Sequence, residues 1–281
     1  MIKKIFRYGV YLFAIIGFSL VSMFFAVKLG LTNEKGIIDT QRTTFTDTKK
    51  NSKFTTSPTP IKKEVLSPSW AKTEEWKILR EAISKDRTPL YKASALLDID
   101  ARVLVSILVV EQMRLYSDNR EVFKSVFAPL KILGTQSQFS WGVLGIKQET
   151  AKEIEKYLGD STSPFYPGKQ YEHLLDFTTD DHDKERFERI VNEDDRYYSY
   201  LYGAILVKEL EAQWKEEGSP ISKKPGIVAT LFNIGFSHSK PNKDPKTGGA
   251  PIPIGDTTYS FGALAEEFYY GDELIDIFPK Q

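Results

Sequence analysis

The sequence predicts a mainly α-helical domain standing behind an N-terminal membrane helix and a disordered linker. Three observations carry this. Beyond about residue 69, apolar residues recur at helical spacing in one segment after another, while strand signals are few and short. Near the N-terminus, Gly9–Val27 carries no charge. Between the two, the chain is rich in Thr, Ser, Lys and Pro, with few large aliphatics and no sustained period. The expected organisation is a membrane anchor with a short cytoplasmic end (1–30), a disordered tether (31–68) and one folded domain (69–281).

At about 1.5 Å per residue, Gly9–Val27 makes a helix of roughly 28 Å, enough to cross a bilayer core. Lys3, Lys4 and Arg7 precede it, which places this end inside and the rest of the chain outside. The apolar run exceeds the usual signal-peptide core and no A-x-A-like site follows, so an uncleaved anchor is expected. In SWAKTEEWKILREAI, Trp76, Leu79 and Ile83 lie at helical spacing, with Ser69 as an N-cap candidate. Pro89 breaks the chain or opens a second short helix, LYKASALLDI. Asp98 and Asp100 then offer caps for ARVLVSILVVEQMRLY, a long buried helix. A loop-like stretch runs through GTQSQFSWG, and VLGIKQETAKEIEKYLG starts tight and becomes helical up to Gly159. Residues 160–195, including DDHDKE and NEDD, read as solvated loops. DRYYSYLYGAILVKELEAQWKEEG reads as a strongly amphipathic helix stopped by Gly218. Pro225 opens PGIVATLFNIG. Asn242–Asp256 is a Gly/Pro-rich loop or hairpin, and YSFGALAEEFYYGDEL is the last helix.

Composition narrows the function. Lys plus Arg and Asp plus Glu number 38 each, a balance that argues against a nucleic-acid partner. There is no Cys, which removes disulfides, thiolate metal sites and a Cys nucleophile. His173, His182 and His238 are far apart in sequence and form no zinc motif, and the acidic stretch lacks the D-x-D-x-D-G pattern of a calcium loop. No cofactor and no metal are expected.

Glu111 is the candidate for chemistry. It ends VLVSILVVEQ, a run apolar on nearly every face and therefore central to its domain. Desolvation raises the pKa of a carboxyl there, and the helix C-terminus acts in the same direction, as a general acid requires. Taken alone, Glu111 is equally what a helix carries on reaching the surface, paired with Arg114 at i+3. Ser140 and Gly142 alone suit a turn that caps the next helix, and Asn233 with Gly235 suits a helix end. Tyr197, Tyr198, Tyr200 and Tyr202 form a tight aromatic cluster of core or rim rings, whose faces also suit sugars.

Four stretches in order, YKASALLDIDARVLVSILVVEQ, SWGVLGIKQETA, YLYGAILVKEL and LFNIG, together resemble the lytic transglycosylase domain of the lysozyme-like superfamily. In that family a buried helix ends in a catalytic Glu, and an S-x-G-L-M-Q-I-x-P-x-T-A turn and an A-Y-N-x-G helix follow. Ser140, Gly142, Leu144, Ile146, Thr150 and Ala151 match the second motif in register, and Asn233 and Gly235 match the third. Tyr202-Gly203 falls where the family packs a helix through a glycine. The resemblance covers about residues 70–270. It departs at Gly145, where the family has Gln, at Phe232, where it has Tyr, and at Gln112, where it often has Ser.

The resemblance implies a lysozyme-like helical fold and, as substrate, the glycan strands of peptidoglycan. Glu111 would protonate the leaving oxygen of the MurNAc–GlcNAc bond, then take the proton of the muramyl C6 hydroxyl as a 1,6-anhydro ring closes. Ser140, Gly142, Tyr202, Phe232 and Asn233 would line the substrate site. Asp98 and Asp100 lie roughly 15 Å or more away along the same helix, too far to act as a second acid. A hydrolytic lysozyme would need such an acid, from Asp118 or Glu121. The expected location is the bacterial cytoplasmic membrane, single-pass, with the domain outside. Two other readings stay open: a glycan-binding or scaffolding module that keeps the fold without activity, and a tethered helical interaction domain.

Overall fold

Asp100 starts the helix on which the domain is built. Its carboxylate accepts from the Arg102 N–H at 2.8 Å, while Asp98 turns the chain at a φ of 51°. Helix α3 follows (Ala101–Ser117), with every residue from Ala101 to Glu111 buried. A helix apolar all round has to be covered on all sides. Here the cover is α1 (Glu74–Lys85), α2 (Arg87–Leu96), α6 (Tyr197–Glu216), α7 (Pro225–Ile234), α8 (Phe261–Tyr270) and the short strand β3 (Pro251–Ile254). The computed structural model describes residues 68–117, 140–192, 194–254 and 257–281. The described part is mainly helical, with eight α-helices and two small antiparallel strand pairs. The expected anchor Gly9–Val27, most of the expected linker, and Asp118 and Glu121 lie outside the described residues. Among the described residues no helix is long and apolar enough to cross a membrane.

Trp76, Leu79 and Ile83 are buried as their spacing requires, but Ser69 does not cap their helix. Ser69–Lys72 is a 3-10 turn. The chain becomes extended at Thr73, so the Thr73 hydroxyl accepts from the Trp76 N–H at 3.2 Å. Pro89 sits in the first turn of α2, where a missing N–H is tolerated. Strands β1 (Ser140–Trp141) and β2 (Ile146–Lys147) pair in the register Ser140↔Lys147 and lead directly into α4 (Gln148–Gly159).

Residues 160–195 are not simply solvated loop. DDHDKE opens helix α5 (His182–Val191), with the Asp181 carboxylate accepting from the Lys184 N–H at 3.1 Å. Acidic residues suit a helix N-terminus, which carries partial positive charge. Helix α6 is more deeply buried than an amphipathic reading implies, since Ser199–Val207 is covered throughout. Pro225 takes the first position of α7, and Gly235 ends it at a φ of 79°. The loop after α7 closes as a hairpin of β3 and β4 (Thr257–Ser260), and the Ser260 hydroxyl caps α8.

Candidate active site

Glu111 lies six residues before the end of α3 and not at the helix C-terminus expected from the sequence, and its surroundings are the next turn of α3 and the turn between β1 and β2. Glu111 is 3% exposed and Arg114 7%. Arg114 forks onto the carboxylate: Nε donates to Oε2 at 3.2 Å and Nη2 donates to Oε1. The i+3 pair is therefore formed, but inside the protein and not at its surface.

The turn is shaped by two glycines, Gly142 and Gly145, both at a φ of 62°. L side chains rarely adopt this region, and close approach excludes them as well. A Cβ on Gly145 would lie 2.0 Å from Glu111 Oε1, and one on Gly142 would lie 2.5 Å from both Ile190 O and Ser199 Oγ. Leu144, between them, is fully buried against α6, where a Cβ on Gly203 would lie 2.3 Å from its Cδ1. The Gln112 amide donates to the Val143 carbonyl, tying the residue beside Glu111 to the same turn. Successive turn residues thus engage α5 and α6, Gln112, Gly203 and Glu111.

The structure brings Glu111 together with Gly142–Gly145. Ser140 enters as the first residue of β1, three residues before Val143. Phe232 and Asn233 belong to α7, which packs on α3. Phe232 is a core residue, 9% exposed. Asn233 is half-buried, and its Oδ1 accepts from the Ala250 N–H at 2.8 Å, pinning the loop that leads to β3.

Tyr202 lies in the core, bonded away from Glu111. It is fully buried, and its hydroxyl donates to Glu155 Oε1 at 2.6 Å. Arg186 grips the same carboxylate at 2.6 and 2.5 Å, and burial pushes the Tyr202 hydroxyl far up from its ordinary pKa. Tyr200 is likewise internal, donating to Asp86. Tyr197 and Tyr198 are the half-buried members of the cluster, edge to face at 5.5 Å, with the Lys92 ammonium 4.0 Å over the Tyr197 ring.

Two partners of Glu111's seat go beyond the sequence reading. Gly145 and Gln112 entered the sequence reading only as departures from the family motif, and the contacts they make with Glu111 and Val143 were not foreseen. Among the described residues, no group of three or more His, Cys, Asp or Glu side chains is placed to hold a metal. Comparison with known protein families, with curated proteins and with solved structures returns no match for this chain.

Proposed function

We propose that the chain is a membrane-anchored, glycan-cleaving enzyme of the lytic transglycosylase type, with Glu111 as acid and then base and the glycan strand of peptidoglycan as substrate. One observation carries the reading: Glu111 closes the unbroken buried stretch of the central helix, with its carboxylate against Gly145 in the turn between β1 and β2. A single acid–base residue needs a fixed carboxyl that bulk water does not reach freely. Gly145 supports that seat because it leaves room for the carboxyl where any side chain would fill it.

In this reading Glu111 protonates the leaving glycosidic oxygen. It then accepts the proton of the muramyl C6 hydroxyl as that oxygen closes on the anomeric carbon, so the carboxyl returns to its starting state. Both oxygens of Glu111 face Arg114 at rest, so the reaction requires the fork to open or turn aside when glycan binds and the freed carboxylate to take up a proton from solvent before the first step. Gln112 and Gly142 hold the turn while this happens.

The same fork favours a second reading, a glycan-binding module without activity, because a carboxylate engaged at both oxygens is already satisfied as an acceptor. Incubating purified peptidoglycan with the protein and with Glu111→Gln separates the two. Release of soluble fragments by the wild type alone supports the enzyme. Retained pelleting with peptidoglycan and no release by either supports the module. Neither release nor binding discards both.

A further inference from the structure

Glu209, on α6, is the least explained side chain among the described residues. It is 0% exposed, and neither carboxyl oxygen has a hydrogen-bond partner. Buried polar atoms without partners are rare and costly, and an ionised one more so. A Leu would fill this position at no such cost.

The ionisable groups on the helices packed against α6 give it no partner. Helix α4 presents the Glu153 carboxylate and the Tyr157 hydroxyl. Helix α7 has no ionisable residue. On α5, Arg186 is bound to Glu155 and Asp183, and Arg189 to Glu185 and the carbonyls of Leu175 and Asp176. On α2, Arg87 lies over Tyr91, Tyr91 donates to Ile277 and Lys92 lies over Tyr197. On α3, Arg102 is bound to backbone carbonyls and Arg114 to Glu111. On α6 itself, Lys208 donates to the Asp98 carbonyl, and Glu211 lies near Lys208 and Asp98.

We propose that Glu209 is a proton-linked latch between α6 and α4: closed while its carboxyl is neutral, opened by its ionisation, and coupled through α4 to the turn that seats Glu111. The coupling follows from chain connectivity. Helix α4 begins at Gln148, directly after β2, and buries Ala151, Ile154 and Leu158. Leu144 of the turn rests on Gly203, six residues before Glu209 on α6, about 9 Å along the helix. A charge appearing at Glu209 faces the Glu153 carboxylate across this interface, and repulsion acts to part α4 from α6. The turn is continuous with α4 and loosens with it. The latch concerns the seat of Glu111 and holds whether or not glycan is cleaved.

Burial, and then the Glu153 charge, pushes Glu209 well above the ordinary 4.5 of a glutamate. Between 4.5 and that raised value the folded state holds a proton that the unfolded state has released. Opening therefore becomes about tenfold more favourable per pH unit as pH rises through this window.

The test is amide hydrogen exchange of the full chain in detergent micelles between pH 5 and 8, for the wild type, Glu209→Gln and Glu153→Gln. After correction for intrinsic base catalysis, the expected result is loss of protection in residues 144–158 of the wild type as pH rises, about tenfold per pH unit while folded Glu209 keeps its proton and level once it has ionised. Glu209→Gln should keep protection constant, and Glu153→Gln should shrink the loss. Equal pH dependence in the wild type and Glu209→Gln overturns the proposal. A loss confined to α6, with residues 144–147 unaffected, overturns the coupling. If Glu209→Gln does not fold, Glu153→Gln still decides: an unchanged loss counts against the latch.

Discussion

Three residues decide what Glu111 is. Gly145 gives it room, Arg114 gives it charge, and Gln112 holds the turn against it. Gly145→Ala should cost roughly 1–3 kcal/mol from backbone strain alone, and more from the contact with Oε1. Urea unfolding checks the cost, and a loss below about 0.5 kcal/mol would mean the turn is free to shift. Arg114→Ala leaves a buried carboxylate with its fork removed, and should destabilise by about 3–5 kcal/mol. Adding Glu111→Gln should restore part of that loss. Strict additivity in this double-mutant cycle would mean the two side chains are not coupled. At this scale the sequence was only partly legible. The Arg114 pair could be read from i+3 spacing, but the residues around Glu111 favoured a surface position, and only the resemblance turned it inward. That the pair is internal could not be read, because it depends on how the turn between β1 and β2 folds back over α3.

Among the elements, α5 shows why local composition misled. DDHDKE looks solvated by charge count, yet its acids are placed one by one. Asp181 caps the helix. Glu185 accepts from the N–H and hydroxyl groups of both Thr178 and Thr179, and pairs with Arg189 at 2.5 Å. Burial pushes the Glu185 carboxyl up, but these donors outweigh it and hold it down at about 2. Its unfolded value is near 4.5, so the folded state releases this proton more readily. The resulting stability is fully present above 4.5 and is lost as pH falls toward about 2. Glu185→Gln should therefore flatten the acid side of the thermal-stability profile between those limits and change its slope little above pH 5. An acid limb as steep as the wild type's would remove Glu185 from this role. Helices α1, α3, α4, α7 and α8 were legible from apolar spacing, Pro225, Gly235 and the final aromatic run. The Thr73 cap was missed because the 3-10 turn before it imitates a helix start.

In the whole molecule, α3 is the axis and the C-terminal segment closes over it. Arg102 is fully buried and donates to the backbone carbonyls of Phe268, Tyr269, Gly271, Glu273 and Phe278 at 2.7–3.1 Å, with its guanidinium 4.9 Å from the Phe268 ring centre. One cation thus satisfies the end of α8 and fastens the segment after it to the base of α3. Arg102→Leu should cost about 3 kcal/mol or more, since several buried carbonyls lose their donor together. Limited proteolysis should then cut after Tyr270, and continued resistance there would show that the segment is held by other contacts. The mainly α class and a central helix were readable from periodicity. This closure was not, because its partners are backbone carbonyls more than a hundred and sixty residues away.

The claim at the centre is that Glu111 cleaves glycan by closing an intramolecular ring. Mass spectrometry of the ends left on peptidoglycan strands tests it most directly. The account predicts muramyl termini in the 1,6-anhydro form with the wild type, and none with Glu111→Gln. Reducing muramyl ends, or strands left intact by a folded wild-type protein that binds them, would contradict it.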